Sequence, residues 1–296
     1  MRLLNPILYL LAVLCATTVS AHDTWLVAET SMVKTGSTVK LAVVTAEQFP
    51  VSENATDPVR VADWSVWRSG QKATINKFQI EGKELSASHT FAEPGLYVIG
   101  VSLKPKFIEM EADPFEDYLR DETAEAAIKL RQERGQSSLP GREMYTKCVK
   151  TFLRVGRPNE EMGDKEDAPT ERRRKMAPYL IPVGHRLEII PMSDPTAWRV
   201  GTEVSVRVLL DEQPANGLRV SSGREGLPPH TYTDSMTTDD NGLARFTFKK
   251  PGLWFFRTHS IRPLVSAREP SGDSPKAEWE SFWASITFRV MPAGPK

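Results

Sequence analysis

The chain has 296 residues, 40% of them apolar and 26% charged, and its 38 basic side chains balance 38 acidic ones. This profile belongs to a globular protein with one large or two ordinary cored domains, and it excludes a disordered tail or a small stapled module. A neutral chain has no basic excess to gain from counterion release, so neither nucleic acid nor an anionic membrane is expected as a partner.

Arg2 precedes an apolar run from Ile7 to Ala16, and small or polar residues follow as far as Ala21. This pattern predicts an export signal over residues 1–21. A run of about ten residues is too short for a permanent span, which needs ~20, so no membrane anchor is expected. A lipoprotein cut before Cys15 would put Leu14 where a small residue is wanted. With Cys15 in the leader, Cys148 stands alone and no internal disulfide is expected.

Cleavage after Ala21 would make His22 the first residue, in the run His22-Asp23-Thr24-Trp25. An N-terminal histidine offers its α-amine, with a pKa of ~7.7–8.0, and a ring nitrogen to one cation as a chelate. Such nitrogen ligands suit nickel, copper or zinc. The competing reading is that trimming merely exposes a histidine.

Short runs rich in Val, Ile and aromatics at Val39–Thr45, Val59–Trp67, Lys72–Ile80 and Gly95–Leu103 predict strands of a sandwich. Trp64 and Trp67 read as packing residues. The pattern changes at Asp113-Pro114, where a cap and a first-turn proline open an apolar helical spacing that Gly135 stops. A helical insertion is expected over about 113–135. Its acidic residues, from Glu109 to Glu122, read as a solvated face rather than a cation site. The run Val149–Val155 returns to the sheet, with Cys148 at its entry, so the first domain spans 22–156.

Residues 157–184 are rich in both charges and carry Pro158, Pro169, Pro178 and Pro182, a linker or long loop. Its basic run Arg172-Arg173-Arg174-Lys175 sits among acids and reads as solvated. Strand rhythm resumes at His185, giving a second sandwich over 185–292. Asp239-Asp240-Asn241-Gly242 lacks the spaced ligands of a calcium loop and predicts a hairpin turn. The fold expected is mainly β, with two Ig-like or transthyretin-like sandwich domains and a helical insertion in the first.

The chain carries no G-x-S-x-G, H-E-x-x-H, P-loop or G-x-G-x-x-G motif. Its five histidines are scattered, so a metal site would have to be assembled by folding. His259 closes the apolar run Leu253-Trp254-Phe255-Phe256, where a strand of the second domain could meet the first; it reads as a partner for His22 or as a satisfied strand-end histidine. His230, beside Pro228-Pro229, reads as a loop residue. His89 and His185 read as exposed or capping.

Several segments together resemble a bacterial exported family filed as a domain of unknown function and formerly labelled nickel-uptake substrate-specific, or NikM-like. They are His22-Asp23-Thr24-Trp25, Pro94-Gly95-Leu96-Tyr97-Val98, Phe107 to Leu119, Gly141-Arg142-Glu143-Met144-Tyr145, Leu187-Glu188-Ile189-Ile190-Pro191, Pro251-Gly252-Leu253-Trp254 and Trp279 to Ser285. Their order and spacing cover nearly the whole chain after the leader. The resemblance implies a periplasmic protein of sandwich domains associated with nickel or cobalt uptake, delivering metal to an envelope transporter. Carried over residue by residue, it makes His22, Asp23 and His259 metal-site candidates, with Glu280 a weaker addition. Many relatives have a Gly-His-Gly-Phe-Pro-like segment where this chain reads Glu47-Gln48-Phe49-Pro50, so Glu47 would replace a histidine with an oxygen ligand.

The expected function is therefore an exported, periplasmic or secreted metal-binding protein without catalysis, its ion being nickel, cobalt or copper. Two alternatives stand beside it. One is a copper oxidase with a histidine brace, as in lytic polysaccharide monooxygenases; the other is a non-catalytic module that binds other envelope proteins.

Overall fold

A computed structural model describes residues 22–156, 177–264 and 276–294. The expected leader, residues 1–21, and most of the expected linker, residues 157–176, lie outside the described residues. The chain is mainly β. Nine strands come first: β1 (Asp23–Ala28), β2 (Met32–Val33), β3 (Ser37–Ala46), β4 (Val61–Arg68), β5 (Gln71–Thr74), β6 (Gln79–Glu81), β7 (Glu84–Phe91), β8 (Gly95–Leu103) and β9 (Lys106–Met110). Helices α1 (Ala112–Asp121) and α2 (Glu125–Glu133) follow. The remaining strands are β10 (Gly141–Val155), β11 (Leu187–Pro191), β12 (Glu203–Leu210), β13 (Gln213–Pro214), β14 (Arg219–Arg224), β15 (Asp234–Thr237), β16 (Leu243–Thr247), β17 (Gly252–Pro263) and β18 (Trp279–Val290).

These strands make three sheets. A central ten-stranded sheet runs β15-β14-β17-β18-β10-β8-β4-β5, with β2 and β9 paired to β10. The join between the two halves of the chain is the parallel pairing of β10 with β18, from Glu143 opposite Trp279 to Thr151 opposite Thr287. The sheet therefore passes without a break across the boundary expected at 157–184. A four-stranded sheet, β1-β3-β7-β6, covers one face, and a second, β11-β12-β13 with β16, covers the other.

The period-two alternation of strands explains how one sheet serves two cores. In β8 and β10, Leu96, Val98 and Phe152 point to one side and pack with Leu187, Ile189, Val204, Val206 and Val208. Their neighbours Tyr97, Ile99, Val101, Val149 and Leu153 point the other way and pack with Leu26, Val39, Leu41 and Leu85. Strands buried on both faces read as continuous apolar runs, as Leu96–Val101 does. Trp64 is 1% exposed and sits in the second of these cores.

Several local expectations are corrected. Lys72–Ile80 is not one strand: β5 pairs with β4 in the central sheet, and β6 pairs with β7 in another. Buried Ile75 and the stacking of Phe78 on Trp64 draw the chain inward between them. The helical insertion is two helices, broken where Thr123 adopts a φ of 53°. Its acidic residues are not all solvated, since Glu116 pairs at 2.6 Å with buried Arg131 and Glu122 at 2.7 Å with buried Arg257. His259 lies inside β17 rather than at its end, because the strand continues to Pro263. His185 is buried against Gly100, where an added Cβ would stand 3.2 Å from its ring. At Asp239–Gly242 there is a turn but no hairpin, because β15 pairs with β14 and β16 with β12 in another sheet; the Asp239 carboxylate accepts from the Asn241 and Leu243 amides at 2.9 Å each, and Gly242 takes φ 71°.

Candidate functional site

A cavity of about 370 Å³ opens where the first sheet, the helical insertion and the central sheet meet. His22, just before β1, and Thr24 near its start line it, and the segment after β3 contributes Asn54, Thr56 and Asp57. Leu103, Ile108 and Met110 from β8 and β9, with Trp283 from β18, make an apolar wall. The floor is β10. Its residues Glu143, Tyr145 and Lys147 are spaced two apart, which puts all three side chains on one face. Tyr118 of α1 closes the inner end.

The inner end is an ordered polar chain. Glu143 is 2% exposed, and its Oε1 accepts from the Ser281 hydroxyl and from the Tyr118 hydroxyl at 3.3 Å. With Tyr118 donating there, His259 donates its Nε2–H to the Tyr118 oxygen at 2.8 Å. Glu143 Oε2 is buried and has no hydrogen-bond partner among the described residues. Burial pushes the Glu143 carboxyl up to about 7, against the opposing pull of Ser281, Tyr118 and Lys147. Burial likewise drives the Tyr118 phenol well above its ordinary value and brings His259 down to about 4, so that imidazole is neutral at pH 7.

Lys147 is buried and pushed down to about 8 by desolvation, with Asp23 acting the other way. Its ammonium donates to the His22 carbonyl oxygen. It also lies 5.6 Å from the Tyr145 ring centroid and 5.5 Å from that of Trp283. At the mouth, His22 Nε2 donates to Glu53 Oε2 at 2.9 Å. A carboxylate only accepts, so a ring proton sits on Nε2.

The five sequence candidates go to different places. His22 lines the cavity. His259 lies behind it, bonded to the lining residue Tyr118. Asp23 is 3.0 Å from Arg257, which also holds Glu122 and the Tyr232 hydroxyl. Glu47 faces His230 at 3.4 Å, and both border a small cleft that Asp23 also lines. Glu280 is held by Arg262 at 2.6 Å and Arg186 at 3.5 Å, on another part of β18. Among the described residues no group of three or more His, Cys, Asp or Glu is placed to hold a metal ion. Asp23 and Glu280 are held by arginines and Glu47 faces His230, and of the five only His22 lines the cavity. Cys148 is buried and its thiol is pushed up to about 12, which makes it inert.

Sequence reasoning missed Glu53, Glu143 and Lys147 as site residues. The last two carried a signal: ionisable residues inside a strand otherwise long enough and apolar enough to be central. Nothing local marked Glu53.

A family model described as a domain of unknown function (DUF4198) matches residues 19–262. No curated protein matches the chain. Among solved structures, similarity is found to a DUF4785 family protein of Legionella pneumophila, at 11% identity and a TM-score of 0.25 over 79% of this chain and 50% of that one. It is also found to the D0-D1 domain of intimin, at 14% and 0.21 over 89% and 96%. A Salmonella alpha-2-macroglobulin gives 12% and 0.24 over 90% and 15%. This chain spans half the length of the first of these and a small part of the third, and TM-scores this low carry no argument. Among the described residues no helix is long and apolar enough to cross a membrane.

Proposed function

The chain belongs to the DUF4198 family, whose description names no activity, and we propose that it is an exported protein that carries a transition-metal ion on its first mature residue, His22. The observation that supports this is the 2.9 Å hydrogen bond from His22 Nε2 to Glu53. Nδ1 is the ring nitrogen that can close a chelate with the histidine's own α-amine, and a carboxylate on Nε2–H orients the ring. Lys147, bonded to the His22 carbonyl, holds the backbone of the same residue. The ring and the carbonyl of His22 are thus each held by a neighbouring side chain.

Two nitrogens and remaining positions open to water suit an ion taken as cargo more than one built into the fold. Nickel or cobalt on its way to an envelope transporter, in the periplasm, is the cargo this reading favours, with copper as the other nitrogen-seeking ion. Binding should weaken in acid, because protons compete with the ion for the same nitrogens. No observation favours the copper-oxidase or interaction-module alternatives, and His259 lies behind Tyr118 rather than on the cavity that His22 lines.

Calorimetric titration of nickel and copper into protein beginning at His22, beside protein with one alanine added in front, tests the reading. The extra residue should cost at least tenfold in affinity. Equal affinity would remove His22 from the site.

A further inference from the structure

Glu143 Oε2 is a buried polar atom with no partner among the described residues, and it belongs to a residue that lines a cavity of about 370 Å³, within the size range of small-molecule sites. The same carboxyl's other oxygen takes two donors, so the side chain is held in place while Oε2 is left unmatched among the described residues. Opposite it stands the apolar wall of Leu103, Ile108, Met110 and Trp283. The charge around the space is mainly positive. Arg60, Lys106 and Lys147 line it, whereas Asp57 accepts from the Val59 amide at 2.9 Å. An organic cation would meet these three cations, while an anion would be drawn in.

We propose that this cavity binds a small organic acid, its apolar part against the Trp283 wall and its carboxylate accepting a hydrogen bond from Glu143 Oε2. Two carboxyl groups can meet this way only when one carries a proton. Burial supplies that condition, since Glu143 stays protonated to about pH 7. The groups that face it are Tyr118 from α1 and Glu122 just after it, Ser281 and Trp283 from β18, Lys147 on its own strand, and His259 of β17 through Tyr118. Of these, Lys147 titrates nearest, at about 8. The proposal does not require a metal on His22.

Three probes with one ring and different charge test it on metal-free protein: benzoate, benzamide and benzylamine, titrated by calorimetry from mildly acidic to mildly alkaline pH. Benzoate should bind best, and its affinity should fall about tenfold per pH unit once the pH exceeds the Glu143 value. Glu143→Gln, whose amide donates at every pH, should keep binding and lose the fall through this range. Glu143→Leu should lose benzoate. No benzoate binding, preference for benzylamine, or benzoate affinity unchanged in Glu143→Leu would each overturn the proposal.

Discussion

Replacing Glu143 with glutamine isolates the cost of keeping a carboxyl in the floor of the cavity. In the fold its pKa is about 7, against an ordinary 4.5, and burial is the leading cause. A carboxyl whose folded value lies above its unfolded one binds more protons in the fold, so its share of stability is full below about 4.5 and is lost as pH rises through 7. At ~1.4 kcal/mol per pKa unit, the charged form is about 3 kcal/mol costlier in the fold than in the unfolded chain. Most of that, about 2–3 kcal/mol, should appear between pH 5 and pH 8. Glutamine keeps an oxygen for Ser281 and Tyr118 but cannot ionise. Denaturant unfolding of both proteins across this range should show Glu143→Gln gaining about 2–3 kcal/mol on the parent as pH rises, whatever its constant offset. A difference that stays flat with pH would refute the buried, proton-holding carboxyl.

Other substitutions probe the frame. An alanine Cβ at Gly141 would stand 2.2 Å from the Phe115 ring, so Gly141→Ala should cost about 1–3 kcal/mol by overpacking; an unchanged melting temperature would contradict that contact. His185 is lowered by burial to about 4 from 6.5, so the unfolded chain takes the proton first. Its contribution holds above 6.5 and is lost as pH falls toward 4, by about 3 kcal/mol, and His185→Asn should move acid unfolding to lower pH. Arg257→Met leaves Asp23 and Glu122 without their cation and should cost about 3–5 kcal/mol in chemical denaturation, whereas a near-neutral result would mean the three are not coupled. Glu53→Gln should leave the melting curve in place but reduce nickel affinity by about 10–100-fold, and equal affinity would show that Glu53 does not orient His22.

The mainly β character was readable because alternation and turn chemistry are local. Leu96–Val101 and the Asp239–Gly242 turn carry their reasons within a few residues. What joins the halves was not readable, since the parallel pairing of β10 with β18 brings together segments more than a hundred residues apart with no pairing code in either. The candidate site divides the same way. His22 could be found from its place after the expected export signal, and the charged residues of Gly141–Val155 were visible as an anomaly in a central strand. Glu53 becomes a partner only when the segment after β3 folds back over the start of β1. His185 is buried because Gly100, on a strand far away in sequence, leaves room for its ring.

The copper(II) paramagnetic resonance spectrum of protein that begins at His22 interrogates the chelate itself. One amine and one imidazole nitrogen should couple to the ion, and the imidazole coupling should shift in Glu53→Gln, because that carboxylate sits on the ring's other nitrogen. A spectrum without imidazole coupling, or one that is the same when an alanine precedes His22, would contradict the account.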